Sequence, residues 1–438
     1  MAKVNVEQGT PDLVTHEGAR AKRIDVKAQL RRSVMACMLW ENEFYEDGQE
    51  IGARIAELVG LVKPEAVAAL AVEAREQMHL RHVPLWLCVA LAKHGRGKLV
   101  AETIASIVRR ADELGELVAL YWKDGKRPLS AQMKKGLALA FGKFNEYQLA
   151  KYDRDGAVRL RDVMFLVHPK PSDEAQAVLW KKLAAGELAT PDTWEVALSK
   201  GDVKKDAWER LLTEGKLGYL ALLRNLRNME KASVDMAMVR DAITTRKGAA
   251  QVLPFRYIAA ARACPQMEPA LDKALIASIE GLPSLTGHTI VLVDVSGSMG
   301  QTLSAKSDMT RMDAAAALGV MVKGLVRVFT FSDKLVEVPP RSGMAGIDAI
   351  KASQGHSSTH LGAAIGEINK LDYDRLIVIT DEQSHDDVPG TKGGHAYMVN
   401  VASAKNGVGY GRWTHIDGFS EAILHYIAAA EGMGGCRE

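Results

Sequence analysis

Before about residue 285, the apolar positions recur at the three-to-four-residue spacing of helices that bury one face. This pattern predicts helices at Val26 to Leu39, Gln49 to Val59, Pro64 to Glu73, Pro84 to Ala92, Leu99 to Arg110, Met133 to Phe144, Ser172 to Ala185 and Pro269 to Glu280. Pro64, Pro84 and Pro269 suit first-turn positions, where a missing N–H costs nothing, and Ser172-Asp173 stands where a capping side chain belongs. Short helices with short links suggest stacked antiparallel pairs, an α-solenoid of HEAT-like type; without an exact repeat period, a compact irregular helical domain is the alternative. After Gly281-Leu282-Pro283-Ser284 the pattern changes. Strand-like runs at 289–294, 326–331, 375–380 and 396–402 alternate with helical runs at 308–323, 360–370 and 419–430, which predicts a mainly parallel α/β domain. The expected division is a tail over 1–20, a helical domain over 21–285 and an α/β domain over 286–438.

The first of those strands, in His288 to Gly300, runs out into Asp294-x-Ser296-x-Ser298. A buried parallel strand delivers its last side chains to the carboxyl edge of the sheet, where ligand sites form. One carboxylate and two compact hydroxyls at alternate positions suit a small hard cation that keeps several waters, Mg2+ or Mn2+. Alone the triplet would arise by chance in about one chain in ten of this length. Two further segments accompany it: Ser357-Ser358-Thr359 just ahead of a helical pattern, and the strand Asp374 to Thr380 ending at Asp381. This order resembles the metal-ion-dependent adhesion site of von Willebrand factor A domains. The resemblance implies direct metal contacts from Ser296, Ser298 and Thr359, with Asp294 and Asp381 nearby or acting through water, and one metal position open to an acidic protein ligand. Many relatives have two glycines where this chain has Ser357 and Ser358.

Composition narrows the class. Of 438 residues, 47% are hydrophobic and 25% charged, ordinary for a globular protein, and no run of eighteen apolar residues or signal-like N-terminus stands out. A cytoplasmic protein without a membrane span is expected. Cys37, Cys88, Cys264 and Cys436 are scattered without a CxxC pair, which fits reduced thiols and argues against zinc or a disulfide framework. A formal net charge of +2 means that nucleic-acid binding must rest on local basic patches. No GxSxG, P-loop, HExxH or Cys-His constellation stands out, and the glycines between His94 and Leu99 lack the spacing of a phosphate cradle. A binding protein is expected, not an enzyme.

The helical part carries a second resemblance. Ala221-Leu222-Leu223-Arg224-Asn225-Leu226, Leu253 to Ile258, Val167-His168-Pro169-Lys170-Pro171, and Leu30-Arg31-Arg32 followed by Trp40-Glu41 and Phe44-Tyr45 are similar to signatures of the TROVE domain of the Ro autoantigen family. Their order, with an A domain behind them, covers nearly the whole chain after about residue 20. The resemblance implies a monomeric ring of HEAT-like helices closed by a Rossmann-like A domain. It implies noncoding RNA as ligand: Y-like small RNA on the outer surface and single-stranded ends of misfolded RNA in a central hole, with an exoribonuclease as a partner in RNA quality control. The segment with Lys151 and His168 is similar to the family segment whose lysine and histidine contact Y RNA.

Lys170, Arg154 and Arg161 surround these two, as do Lys143 and Arg159, and cations gathered on one rim attract phosphate without reading sequence. His168 and Tyr152 could stack on bases. Equally, His168 could end a helix and the charges could form a solvated face. Arg31 and Arg224 lie inside apolar motifs, where a charge needs a partner or a wet cavity. The competing function is a metal-dependent protein-adhesion or cochaperone module that binds no RNA.

Overall fold

A computed structural model describes residues 26–36, 48–76, 80–95, 97–199, 203–252, 254–303, 309–402, 408, 413–417 and 422–431. The tail at 1–20 and the Trp40–Tyr45 motif lie outside the described residues. Two compact units divide what is described: 33–36 with 48–250, and 26–32 with 251–431.

In the first unit each helix packs on the next but one. Pro64–Glu76 lies against Leu99–Ile107, His82–Leu91 against Asp112–Tyr121, Leu99–Ile107 against Ala131–Phe141, and Ala131–Phe141 against Leu160–Val167. This is the layering of stacked helix pairs. A close helix–helix approach falls at Gly136, where a Cβ would sit 2.8 Å from the Ile104 Cβ and 3.0 Å from the Ala101 Cα, so a side chain there would push two helices apart. Val100, Ile104, Leu137 and Phe141 are fully buried at that contact, and Trp180 meets Phe141 edge to face at 5.6 Å. The capping reading holds. The Asp173 carboxylate accepts from the Gln176 N–H at 2.8 Å, and Pro64 opens its helix. Asn145 and Gln148 form a reciprocal capping box that starts Glu146–Tyr152, the helix carrying Lys151.

The second unit holds a six-stranded sheet: β1 (Ser284–Asp294), β2 (Lys323–Phe331), β3 (Leu335–Val338), β4 (Arg375–Thr380), β5 (His395–Asn400) and β6 (Thr414–Asp417). Their order is β3-β2-β1-β4-β5-β6, parallel except for the β2–β3 hairpin at one edge. All six residues of β4 are buried, as a strand covered on both faces requires. On one face Ile290, Leu292, Phe331, Leu376, Val378 and Met398 pack with Leu361, Ile365 and Ile368 of the helix Leu361–Ile368. The edge strands β3 and β6 and the helix Gly343–Lys351 add to the elements expected from pattern, and β1 begins earlier, at Ser284.

Helices Phe255–Ala263 and Glu268–Glu280 lie ahead of the 285/286 boundary read from pattern, yet they belong to this second unit. Polar contacts fix them there. Arg262 donates to Asp313 at 2.6 Å, the Asp272 carboxylate accepts from the Met344 N–H at 2.8 Å, and Lys323 donates to the carbonyls of Glu280 and Leu282 at 2.8 and 3.0 Å.

Candidate metal centre and nucleic-acid interface

Adjacent parallel strands bring the predicted metal residues together. β1 ends on Asp294, and register places it beside the end of β4, whose Thr380 hydroxyl donates to one Asp294 oxygen at 2.6 Å. The other oxygen accepts from the Ser296 N–H at 2.9 Å, which turns the chain sharply after the strand. The Ser296 and Ser298 hydroxyls then lie 3.3 Å apart. Asp294, Ser296 and Asp381 are fully buried and Thr359 nearly so. The Thr359 loop is tied to the turn by Gly297 N–H donating to the Ser357 carbonyl at 3.1 Å.

Serines replace the expected glycines at 357 and 358 without left-handed backbone, because neighbouring side chains hold the loop. The Ser332 hydroxyl accepts from the Ser357 N–H at 3.0 Å and donates to the Ser358 carbonyl at 2.9 Å. Asp333 accepts from the Ser357 hydroxyl and from the Ser358 N–H.

Burial, and then the neighbouring Asp381, push the Asp294 carboxyl above the usual carboxylate range, against the hydrogen bonds from Ser296 and Thr380. Two buried carboxylates that repel each other, among three hydroxyls, form a donor set that a small hard divalent cation would stabilise. Among the described residues no three His, Cys, Asp or Glu side chains gather into a group that could hold a metal ion, so a cation here would draw on the hydroxyls as well as on the two carboxylates. Pattern reading missed three neighbours. Arg311, 3% exposed, brings its guanidinium to 3.9 Å from Asp381. Glu382 is buried with φ of 59°, an unusual conformation for a residue with a side chain, and lies 3.1 Å from His415. Asp333 supports the loop as described above.

The predicted RNA residues fall into three places. Lys151, Arg154 and Arg224 line one cavity of about 930 Å3 in the helical unit, together with Arg110, Tyr152 and Trp194. Arg161, His168 and Lys170 are exposed on the helix Leu160–Val167 and the turn after it, beside Phe165, which is 58% exposed one turn from Arg161. Arg31 lies in the helix Val26–Ala36, in the other unit. The helix-ending reading of His168 holds, and the position stays open to solvent. Its backbone ends the helix in the left-handed region with φ of 46°, its N–H donating to the Met164 carbonyl, while its ring stays exposed.

Two cations of the expected rim have structural work. Lys143 donates to the carbonyls of Ala105 and Val108 at the end of Leu99–Ile107, and Arg159 pairs with Asp155. Trp194 was not anticipated. It stacks on the buried Trp208, ring centroids 5.8 Å apart and planes 18° from parallel.

Residues 179–280 match the model of the TROVE domain. Over 100 residues the chain is 31% and 30% identical to telomerase protein component 1 of Mus musculus and Rattus norvegicus, which covers 21% of this chain and 4% of each relative. The structure superposes on the crystal structure of the Deinococcus radiodurans Ro (RSR) protein with a TM-score of 0.60 at 16% identity, covering 94% of this chain and all of that one. One segment of the chain matches the TROVE domain, and the chain shares the fold of that Ro protein. The TROVE match takes in Trp194, Arg224 and Asn225 but begins after Lys151 and His168, and it runs across the division at 250/251. Among the described residues no helix is long and apolar enough to cross a membrane.

Proposed function

We propose that this is a cytoplasmic, monomeric RNA-binding protein of Ro type. It takes Y-like small noncoding RNA on the helical unit, with Lys151, Arg154 and Arg224 at the cavity and Arg161, His168 and Lys170 on the exposed rim. Single-stranded ends of misfolded RNA are its second class of ligand, with Arg31 among the residues that meet them. It acts as a ribonucleoprotein scaffold in RNA quality control, bringing an exoribonuclease to its RNA, and is not itself an enzyme. The observation that carries this reading is the gathering of Lys151, Arg154 and Arg224 with two aromatic rings at one cavity of a TROVE-type protein. Cations position phosphate while rings take up unpaired bases.

The A-domain site would hold Mg2+ or Mn2+ through Ser296, Ser298 and Thr359, with Asp294 and Asp381 acting nearby or through water. A cation held mostly by neutral hydroxyls keeps enough charge to attract an outside carboxylate, so the metal supplies a docking point for an acidic protein ligand.

The test is a Lys151→Ala, His168→Ala double substitution, with affinity for a structured small RNA measured across a salt series. Affinity should fall about tenfold or more, and the slope of log affinity against log salt should flatten by roughly 0.7–0.9 for the one phosphate that Lys151 no longer neutralises. Equal affinity and equal slope in parent and variant would remove these residues from the interface. RNA-free protein that binds no RNA at all would favour the protein-adhesion reading.

A further inference from the structure

We propose that the cavity beside Lys151 is a pocket for one unpaired nucleotide, with its base against Trp194 and its phosphate between Lys151 and Arg224. This rests on the RNA-binding reading above and adds selectivity for an extruded base.

The aromatic wall is built in advance. Trp194 has one face stacked on Trp208, which is 1% exposed, and the half-buried indole also lines the cavity. Swinging it aside would break a packed ring pair, so a base entering the cavity meets a platform that needs no ordering. The Tyr152 ring, which also lines the cavity, is held by the Arg110 guanidinium 4.6 Å away, and Arg110 is itself fixed on Asp112 through two bonds of 3.1 and 2.8 Å.

Charge decides what the pocket accepts. Four carboxylates line the cavity and each has a cation: Asp112 has Arg110, Glu116 has Arg81, Asp155 has Arg159, and Glu195 has Arg154 at 3.9 Å. Among the described residues Lys151 and Arg224 make no ion pair. With the carboxylates already matched, a single phosphate between Lys151 and Arg224 would supply the charge these two lack.

The remaining polar groups suit a base edge. The Asn225 amide, 5% exposed, donates to the Ala221 carbonyl at 2.9 Å and accepts from Asn228 at 3.0 Å, which orients the Asn228 carboxamide at the cavity wall. An amide offers both a donor and an acceptor, the match for a base edge left unpaired. The volume suits a nucleotide with its hydration and lies within the range of small-molecule pockets.

The experiment uses the full-length protein and two RNA hairpins with the same stem, one carrying a single bulged 2-aminopurine and one fully paired. The bulged hairpin should bind at least tenfold tighter, with its fluorescence quenched on binding by stacking on an indole. Trp194→Ala should bring the affinity ratio of the two hairpins to near one and abolish the quenching, and Arg224→Gln should lower the ratio. Asn228→Ala, at an exposed position, should lower it as well and serves if the tryptophan variant does not fold. Equal affinity of the parent for both hairpins, or an unchanged ratio and quenching in the variants, would overturn the pocket and leave RNA binding standing. Failure of both hairpins to bind the parent would overturn the RNA-binding reading and the pocket with it.

Discussion

Replacing Asp313 by asparagine tests how helices Phe255–Ala263 and Glu268–Glu280 are joined to the sheet that carries the candidate metal site. Asp313 opens the helix Arg311–Met321 and is fully buried. It accepts from both terminal nitrogens of Arg262 and from Lys351 at 2.7 Å, and Thr310 donates to it through N–H and hydroxyl, each at 2.8 Å. Burial alone would raise its carboxyl. The hydrogen bonds from Arg262, Lys351 and Thr310 outweigh burial and bring it down to about 2. A carboxyl that titrates there and not at its ordinary 3.8 is held more tightly, when ionised, by about 2.5 kcal/mol.

Asp313→Asn removes that charge but keeps the size and one capping oxygen. Arg262 and Lys351, with 34% and 29% of their side chains exposed, regain water in the variant, so the cost falls below that of a wholly buried broken pair. We expect a loss of roughly 2–3 kcal/mol and a melting temperature lower by about 5–10 °C. Because the folded value is depressed, the contribution is complete above the ordinary value and is lost as pH falls through about 2. The difference between parent and variant, followed by calorimetry and by hydrogen exchange of the 311–321 peptide, should therefore shrink in acid. Equal melting temperatures at neutral pH, or a difference that acid leaves untouched, would refute this reasoning. Arg311, two residues earlier on the same helix, is the group at Asp381, so loosening this turn also loosens the metal site.

Saturating Mg2+ at about 100 times its Kd should stabilise the parent by about 2.7 kcal/mol and Asp294→Ala not at all, measured as a melting shift. Burial and Asp381 raise the Asp294 carboxyl, so the cation-free fold loses stability as pH rises through that raised value; the Mg2+ stabilisation should grow between about pH 5 and 8, and a flat profile would contradict it. Gly115→Ala should destabilise the helical unit by about 1–3 kcal/mol despite better helix propensity, because its Cβ would lie 2.4 Å from the Val158 carbonyl oxygen, and an unchanged denaturation midpoint would show that the 153–158 segment yields easily.

How far each site could be read from sequence depends on how local its causes are. Asp294, Ser296 and Ser298 fall within five consecutive positions at the end of a buried strand, and Thr359 and Asp381 flank apolar runs of their own, so pattern marks all five positions while the resemblance to A domains supplies their proposed roles. Arg311 and Glu382 are set by register between distant segments and leave no periodic mark. On the helical side, Lys151 and His168 were legible only through resemblance. Trp194 was invisible, since its partner Trp208 lies in another helix, Lys204–Thr213, and the value of either ring depends on the other. Lys143 shows the converse: beside other cations in sequence it reads as rim, but folding sends its ammonium to two carbonyls of another helix.

The same distinction separates two contributions to RNA binding. The cavity's lining carries as many carboxylates as cations, and the whole chain only +2, so long-range attraction is weak. Arg161 and Lys170 stand exposed on the rim, where phosphates are met through water and salt screens the interaction within about 10 Å. At the cavity Lys151 is half-buried and Arg224 is exposed, both beside aromatic rings, so there the placement of the rings would add a geometric requirement to charge. Under the proposed function the rim would gather RNA of any sequence in a salt-sensitive way, while the cavity would select by shape. A protein with a small net charge can bind RNA selectively through that division, because its selectivity does not rest on the summed field.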